Sequence, residues 1–222
     1  MTEKIGRAAR AAASPGTEIV ARNPATGPDS IEGYFDEAFS VPGLLREIAA
    51  DPGADAYVIA CFDDTGLEAA RCAAAAPVIG IGEAAFHMAS LLAHKFGVVT
   101  TLPRSIPAIE NNLVRYGLSS RCARVRAADI PVLALERGEP ATLARLEAEI
   151  FRSIEQDDAE AIVLGCAGMA DLAGSLAERF GLPVLDGVAC AVKLAEGLAG
   201  LGLRTSKLRA YATPAAKAYM RG

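Results

Sequence analysis

The fold is decided by two similar stretches of sequence, "AYVIACFDDTGLEAA" at residues 56–70 and "AIVLGCAGMADLAGS" at residues 161–175. Each runs from an apolar segment into a cysteine, then a loop of small residues, then an Ala- and Leu-rich segment typical of a helix. Continuous apolar runs of this kind indicate strands that are buried on both faces. Two such units in one chain indicate an internal repeat, which places Cys61 and Cys166 at equivalent positions.

The repeat extends on both sides of these stretches. "PVIGIGEAA" begins at Pro77 after Cys61, and "PVLDGVACA" begins at Pro183 after Cys166. A helical pattern at the N-terminus lies about as far before Cys61 as the predicted helix Ser105–Tyr116 lies before Cys166. In the predicted helix Ser105–Tyr116, Ser105 is the expected N-cap and Gly117 is expected to end the helix. Six apolar runs are predicted to be strands: Glu18–Ala21, Tyr57–Cys61, Val78–Gly82, Gly97–Thr101, Ala161–Cys166 and Pro183–Asp186.

Strands that alternate with helices predict an α/β fold. We expect two pseudo-symmetric domains, each with a mainly parallel sheet flanked by helices, and an active site between them. The first unit comprises residues 1–94 with 190–222, and the second comprises residues 95–189. In the second unit "FGVVTT" precedes the helix from Ser105, whereas the corresponding strand of the first unit would fall before Met1. The chain is therefore expected to lack the first strand and loop of its first unit, and an exposed strand edge there would favour a homo-oligomer.

Composition limits the classes of function. The chain has 222 residues, 52% of them hydrophobic, and a net charge of −5. It has no basic stripe for nucleic acid, no basic amphipathic stretch for a membrane surface, and no apolar run near the ~20 residues of a membrane span. Five scattered cysteines without a CxxC pair favour neither a metal site nor disulfides, and they suit a reducing, cytoplasmic setting.

The two repeated cysteines suggest acid–base chemistry on a small-molecule substrate. Ligands bind beyond the carboxyl ends of strands in open α/β sheets, and both Cys61 and Cys166 are predicted to lie there. A following helix N-terminus is expected to lower the pKa of each thiol. If the two units face each other, one thiolate can remove a proton from a carbon while the opposite thiol donates one, which inverts the stereocentre.

Backbone N–H groups after each cysteine could hold the developing enolate oxygen, at Phe62 and Asp63 and at Ala167 and Gly168. Gly165 and Gly168 would let the backbone approach a substrate closely. The competing interpretation is that both cysteines only pack in the core. The remaining cysteines (Cys72, Cys122 and Cys190) have no repeated counterpart and are interpreted as bystanders.

A family resemblance is carried by the repeated segments quoted above and by four further stretches: "SPGTEIVARNPATGPDSIEGYFDEA", "VVTTLPRS", "RCARVRAADIPVLALE" and "GLRTSK". In these segments the chain resembles the aspartate/glutamate racemase superfamily and, within it, the hydantoin racemase group that includes allantoin racemases. The resemblance covers nearly the whole chain. It implies two pseudo-symmetric α/β domains and cofactor-independent racemisation by paired cysteines, which fall on Cys61 and Cys166. It also implies that Thr100 and Thr101 bind substrate carbonyls or ring nitrogens.

The loop after Cys61 departs from the group, because Asp63 and Thr65 stand where hydantoin racemases commonly have Gly and Pro. Carboxylates at Asp63 and Asp64 would repel an anionic amino acid, which favours a neutral ring; alternatively, this acidic pair is solvated and complements a helix dipole. Asp186 either orients the loop after Cys166 or caps the next helix.

Two other interpretations of function stay open. One is an aspartate/glutamate-type racemase, or a cis–trans isomerase of an unsaturated diacid, with the same superfamily's chemistry. The other is a two-lobed small-molecule binding protein whose cysteines only pack. His87 and His94 make a poor metal pair without a suitably spaced carboxylate, and "GIGEAA" lacks the spacing of a dinucleotide loop. No cofactor is expected.

Overall fold

The structure is a computed structural model that describes residues 1–137 and 140–217, with the backbone alone for residues 136 and 137. The strands of this part are β1 (Tyr57–Ile59), β2 (Val78–Gly80), β3 (Phe96–Thr100), β4 (Cys122–Ala127), β5 (Ala161–Gly165) and β6 (Val184–Asp186). Its α-helices are α1 (Thr2–Ala12), α2 (Tyr34–Ala50), α3 (Leu67–Ala73), α4 (Ile81–Leu92), α5 (Ile106–Arg115), α6 (Ala134–Arg137), α7 (Pro140–Asp157), α8 (Ala173–Phe180) and α9 (Gly187–Gly200). Short 3₁₀ turns span Pro103–Ser105, Ala167–Leu172 and Arg209–Tyr211.

The strands form two parallel sheets, which confirms the predicted α/β class. One sheet pairs β1 with β2, and the other has the order β4-β3-β5-β6. In the larger sheet Thr100 of β3 lies opposite Gly165 of β5. Parallel strands joined through helices bring their carboxyl ends to one edge of each sheet.

The largest core cluster joins the two sheets. It contains residues of α4, α9, β3 and β5, among them the fully buried Phe86 and Phe96, whose rings stack with centroids 5.9 Å apart. Helix α9 packs against α1 and α4, so the chain returns to the first unit after its last strand. The exact division at residues 94/95 and 189/190 stays a prediction.

The predicted strand Glu18–Ala21 is wrong. This segment has no regular secondary structure, and only Ile19 in it is half-buried, against the largest core cluster. A strand needs a neighbour to satisfy its backbone groups. Within the part of the chain that the structure describes, β1 has a single partner, β2, and no strand lies beside residues 18–21.

Two predicted strands end earlier than expected, and one predicted helix begins without its expected side-chain cap. Strand β2 stops at Gly80 because α4 begins at Ile81, and β1 stops at Ile59. The expected helix after Ser105 is α5, and Gly117 stops it with φ +73°, a left-handed value that glycine adopts readily. Ser105 occupies the N-cap position but makes no side-chain capping bond, because the 3₁₀ turn before it already runs into the helix.

Across residues 1–137 and 140–217, no helix is both long enough and apolar enough to pass through a bilayer.

Candidate active site

The two cysteines follow the carboxyl ends of β1 and β5 and open the same kind of turn. The N–H of Asp64 donates to the carbonyl of Cys61 over 3.0 Å, and the N–H of Met169 donates to the carbonyl of Cys166 over 3.0 Å. Both bonds join a cysteine to the third residue after it. The repeat seen in the sequence is thus repeated in local backbone geometry.

The backbone of the second residue after each cysteine also acts on the pKa of the thiol. The N–H of Asp63 lowers the pKa of Cys61, and the N–H of Gly168 lowers the pKa of Cys166. The Cys61 sulfur additionally lies 3.3 Å from the Thr65 hydroxyl. These donors stabilise a thiolate at both positions, which is the form that removes a proton.

Burial outweighs these donors, so the expected lowering of the two thiol pKa values is wrong. Both residues keep partial solvent exposure, yet desolvation is the largest cause of the pKa shift at each thiol. Burial raises the pKa of Cys61 to about 12 and that of Cys166 to about 11. Helix α3 begins only at Leu67, and Cys166 is followed by a 3₁₀ turn, so neither thiol sits at the N-terminus of a long α-helix.

Asp63 is a charged group that acts on both thiols. After burial, its carboxylate is the main cause that raises the pKa of Cys61, and it also raises the pKa of Cys166. Lys4 partly offsets this at Cys166 and Glu32 adds to it, both more weakly than Asp63. One side chain within electrostatic reach of both sulfurs indicates that the two cysteine loops border a common region.

Asp63 itself is held in an acidic setting. Burial, followed by the carboxylates of Glu37 and Asp64, raises the pKa of Asp63 to about 7. Asp63 and Thr65 line a cleft of about 330 Å³ beside the Cys61 loop, to which neither Cys61 nor Cys166 contributes.

The threonines lie at the carboxyl end of β3 and are almost fully buried. The Thr100 hydroxyl donates to the carbonyl of Gly165 over 2.9 Å. A Cβ on Gly165 would lie 2.8 Å from the Thr100 Cα, so this glycine lets β3 and β5 approach closely. The carbonyl of Thr101 accepts a hydrogen bond from Ile130.

Of the other predicted binding residues, Phe62 turns its ring into the core. That ring packs edge-on against Phe86, with centroids 5.4 Å apart. Ala167 and Gly168 are buried, and a Cβ on Gly168 would lie 3.0 Å from a methyl group of Leu135. Binding of a ligand by the backbone at these positions stays a prediction.

The sequence did not reveal what Asp64 does. This residue is 4% exposed, and its carboxylate accepts hydrogen bonds from the N–H groups of Gly82 (2.9 Å) and Glu83 (2.8 Å). It therefore caps α4, so Asp64 complements a helix dipole as one of the two alternatives proposed, but it is buried and not solvated. A Cβ on Gly80 would overlap its carboxylate, so the glycines of "GIGEAA" were the available signal.

Asp186 caps α9 by accepting hydrogen bonds from Val188 (2.8 Å) and Ala189 (3.0 Å), the second of the two roles expected for it. In the described part of the chain, no group of three or more His, Cys, Asp or Glu side chains is arranged to hold a metal ion.

The model of the Asp/Glu/hydantoin racemase family matches residues 1–195. The chain belongs to this family. It is 52% identical over 204 residues to a hydantoin racemase of Rhizobium meliloti, which spans 91% of this chain and 85% of that protein. It is 46% identical over 222 residues to a hydantoin racemase of Pseudomonas sp. (strain NS671), spanning 99% and 89%.

Among solved structures, an allantoin racemase from Klebsiella pneumoniae superposes with a TM-score of 0.96 at 50% identity, covering 99% of this chain and 91% of that one. The fold and the racemase family expected from the sequence are therefore confirmed.

Proposed function

We propose that this chain racemises hydantoin-type rings, either 5-substituted hydantoins or allantoin, by two-base proton transfer between Cys61 and Cys166 without a cofactor. The proposal is supported by the matched pair of turns, in which the N–H of the third residue after each cysteine donates to the carbonyl of that cysteine. The relatives named hydantoin racemase and the solved allantoin racemase support the choice of ring.

In the proposed reaction one cysteine, as a thiolate, removes the proton from C5 of the ring. The electron pair of the broken C–H bond delocalises into the adjacent carbonyl as an enolate. The other cysteine, as a thiol, then gives its proton to the opposite face of C5. The first sulfur ends protonated and the second ends as a thiolate, so the enzyme is ready for the reverse direction.

The raised pKa values fix the resting state of this pair. With pKa values of about 12 and about 11, both thiols are protonated near neutral pH, and one must lose a proton before turnover. The acid of the pair is thus always available, and the supply of thiolate limits the rate. Racemisation should accelerate as pH rises through the neutral and alkaline range.

Several groups would hold the ring and its enolate. The N–H groups of Phe62 and Ala167 are proposed as donors to the oxygen, while those of Asp63 and Gly168 serve the sulfurs. Because the Thr100 hydroxyl already donates its hydrogen bond to the Gly165 carbonyl, the Thr100 oxygen would accept a hydrogen bond from a ring N–H. Thr101 follows it at the same end of β3 and is assigned to the ring carbonyls.

Asp63 supports a neutral substrate over an amino acid. A carboxylate that acts on both thiols would repel the carboxylate of free glutamate or aspartate, whereas a ring N–H or ureido group can donate to it. Asp64 does not take part in this choice, since its carboxylate is occupied by α4.

The test is racemisation of one enantiomer of allantoin or of a 5-substituted hydantoin, followed by polarimetry, with free glutamate and aspartate assayed beside it and the spontaneous rate subtracted. We expect loss of rotation with the rings only, and a fall of about 10²- to 10⁴-fold in Cys61→Ser and Cys166→Ser. Cys72→Ser, a thiol on α3, is the matched control and should keep full activity. Undiminished activity in either active-site variant would remove the two-cysteine proposal, and activity on the amino acids alone would replace the substrate.

A further inference from the structure

The loop that carries Cys61 is held in place by a helix of the other unit. Helix α5 belongs to residues 95–189, whereas the loop from Cys61 to Gly66 belongs to residues 1–94. Asn112, on α5, donates from Nδ2 to the carbonyl of Asp63 over 2.8 Å. Tyr116, at the end of α5, donates from its hydroxyl to the carboxylate of Asp64 over 2.7 Å.

These two bonds come from one face of the helix, because residues four apart lie one above the other. They hold two consecutive residues of the loop, one by its backbone and one by its side chain. Asn112 is 6% exposed and Asp64 is 4% exposed, so the bonds are shielded from water and hold their partners firmly. We infer that Asn112 and Tyr116 are positioning residues that set the place of the Cys61 thiol in the proposed racemase site.

The loop needs such a hold because its backbone is strained. Asp64 has φ +52°, in the left-handed region that costs a non-glycine residue free energy. The same residue closes the turn by donating its N–H to the Cys61 carbonyl and caps α4 with its carboxylate. Tyr116 therefore steadies a residue whose conformation determines where the turn after Cys61 goes.

Asn112 acts closer to the sulfur. It holds the Asp63 carbonyl, and the backbone N–H of Asp63 lowers the pKa of the Cys61 thiol. A shift of Asp63 would therefore move both a stabilising donor and a charge relative to the sulfur. Misplacement of a reacting group by about 1 Å can lower a rate on the order of 10²-fold.

The same crossed arrangement recurs at the other cysteine. Lys4, on α1 of the first unit, forms a 2.9 Å ion pair with Asp171 in the 3₁₀ turn that follows Cys166. Helices α1 and α5 are the equivalent helices of the sequence repeat, and each contacts the cysteine loop of the opposite unit. The Asp171 carboxylate is half-exposed, so this ion pair is weaker than the bonds at Cys61, and the positioning role rests on Asn112 and Tyr116.

The inference rests on the proposed racemase function, and its test has two independent arms. The variants are Asn112→Ala and Tyr116→Phe. Asn111→Ala is the matched control, since this exposed neighbour on α5 donates its side-chain hydrogen bond to the Tyr34 hydroxyl and not to the Cys61 loop. The first arm measures kcat and KM for racemisation, together with deuterium uptake from heavy water into each substrate enantiomer. Cys61→Ser serves as the reference for a lost Cys61.

We expect kcat to fall about tenfold or more in Asn112→Ala and Tyr116→Phe, with KM changed less than threefold. Deuterium uptake should become unequal between the two enantiomers, in the same sense as in Cys61→Ser, because Cys166 still reacts with the enantiomer that faces it. Equal losses for both enantiomers, or no loss of kcat, would overturn the positioning role.

The second arm needs no substrate, so it separates failure of this inference from failure of the proposed function. Alkylation of Cys61 and Cys166 by iodoacetamide is followed by peptide mass spectrometry. The rate at Cys61 should change at least threefold in Asn112→Ala and Tyr116→Phe. The rate at Cys166 should change clearly less, since Asp63 ranks lower among the causes of its pKa shift, and both rates in Asn111→Ala should stay within about 1.5-fold of wild type. Parallel changes at both thiols would indicate general loosening and would overturn the inference, whether or not the protein racemises hydantoins.

Discussion

Replacing Asp63 with asparagine removes the charge that acts on both thiols, and the account predicts a specific pH signature. Wild-type Cys61 and Cys166 have pKa values of about 12 and about 11, so at pH 8 roughly one Cys61 in 10⁴ and one Cys166 in 10³ is a thiolate. The Asp63→Asn substitution should lower both pKa values and raise both fractions.

The magnitude follows from Coulomb's law. Two unit charges about 10 Å apart interact by roughly 1.7 kcal/mol at an effective dielectric constant of about 20, and salt reduces this. We therefore expect about one pKa unit at each thiol, or roughly tenfold more thiolate. The fall in pKa should be larger at Cys61 than at Cys166. At Cys61, Asp63 is the second-largest cause of the raised pKa, directly after burial.

The sign depends on pH because Asp63 itself titrates near pH 7. Below about pH 6 Asp63 is neutral, so wild type and Asp63→Asn should react alike. Above about pH 8 Asp63 is charged, so the variant should react about three- to tenfold faster, since a thiolate of lower pKa is also a weaker nucleophile. The raised pKa of Asp63 also means that folding stability is lost as pH rises from about 4 through 7, and the substitution should remove part of that loss.

The assay is the iodoacetamide rate constant at each thiol between pH 5.5 and 9.5, read by peptide mass spectrometry, with kcat/KM for ring racemisation measured beside it. Glu178→Gln, an exposed carboxylate on α8, controls for the general loss of one charge. A variant-to-wild-type ratio that is constant across this range, or a variant that reacts more slowly above pH 8, would refute the reasoning.

Three further outcomes are expected. Gly80→Ala should lower the free energy of unfolding by about 1–3 kcal/mol in urea titration, because its Cβ would overlap the Asp64 carboxylate, whereas Gly53→Ala, with open space around it, should change little. Asp186→Ala should cost about 1 kcal/mol by the same measurement, since it removes the cap of α9; a loss below about 0.3 kcal/mol would contradict that role. Wild-type kcat/KM should rise nearly tenfold per pH unit between pH 7.5 and 9.5, and a flat profile would contradict thiolate-limited turnover.

The sequence predicted the elements that depend on local pattern. Apolar runs predicted five of the strands, and the repeat placed Cys61 and Cys166 at equivalent ends of β1 and β5. The segment Glu18–Ala21 has the same apolar character, yet it is not a strand. Its state depends on whether a neighbouring strand can pair with it, and that is not encoded in the segment itself.

Features that depend on depth or on distant contacts were not predictable. The expected direction of the two thiol pKa shifts is wrong because burial of the sulfurs cannot be read from residue order. The sequence left open a solvated Asp64, although this residue meets Gly82 and Tyr116, which come much later in the chain. The glycines at 80 and 82 marked a close approach without identifying the group that approaches.

The central claim, that Cys61 and Cys166 act on opposite faces of one carbon, is tested most directly by the fate of solvent deuterium in the first turnovers. One enantiomer of allantoin or of a 5-substituted hydantoin is incubated with wild-type protein in heavy water, and product and remaining substrate are separated on a chiral column for mass spectrometry. Two bases on opposite faces should leave one deuterium at C5 of the product while the remaining substrate stays unlabelled. Label that enters the substrate as fast as the product forms would indicate a single base and would rule out the paired-cysteine mechanism.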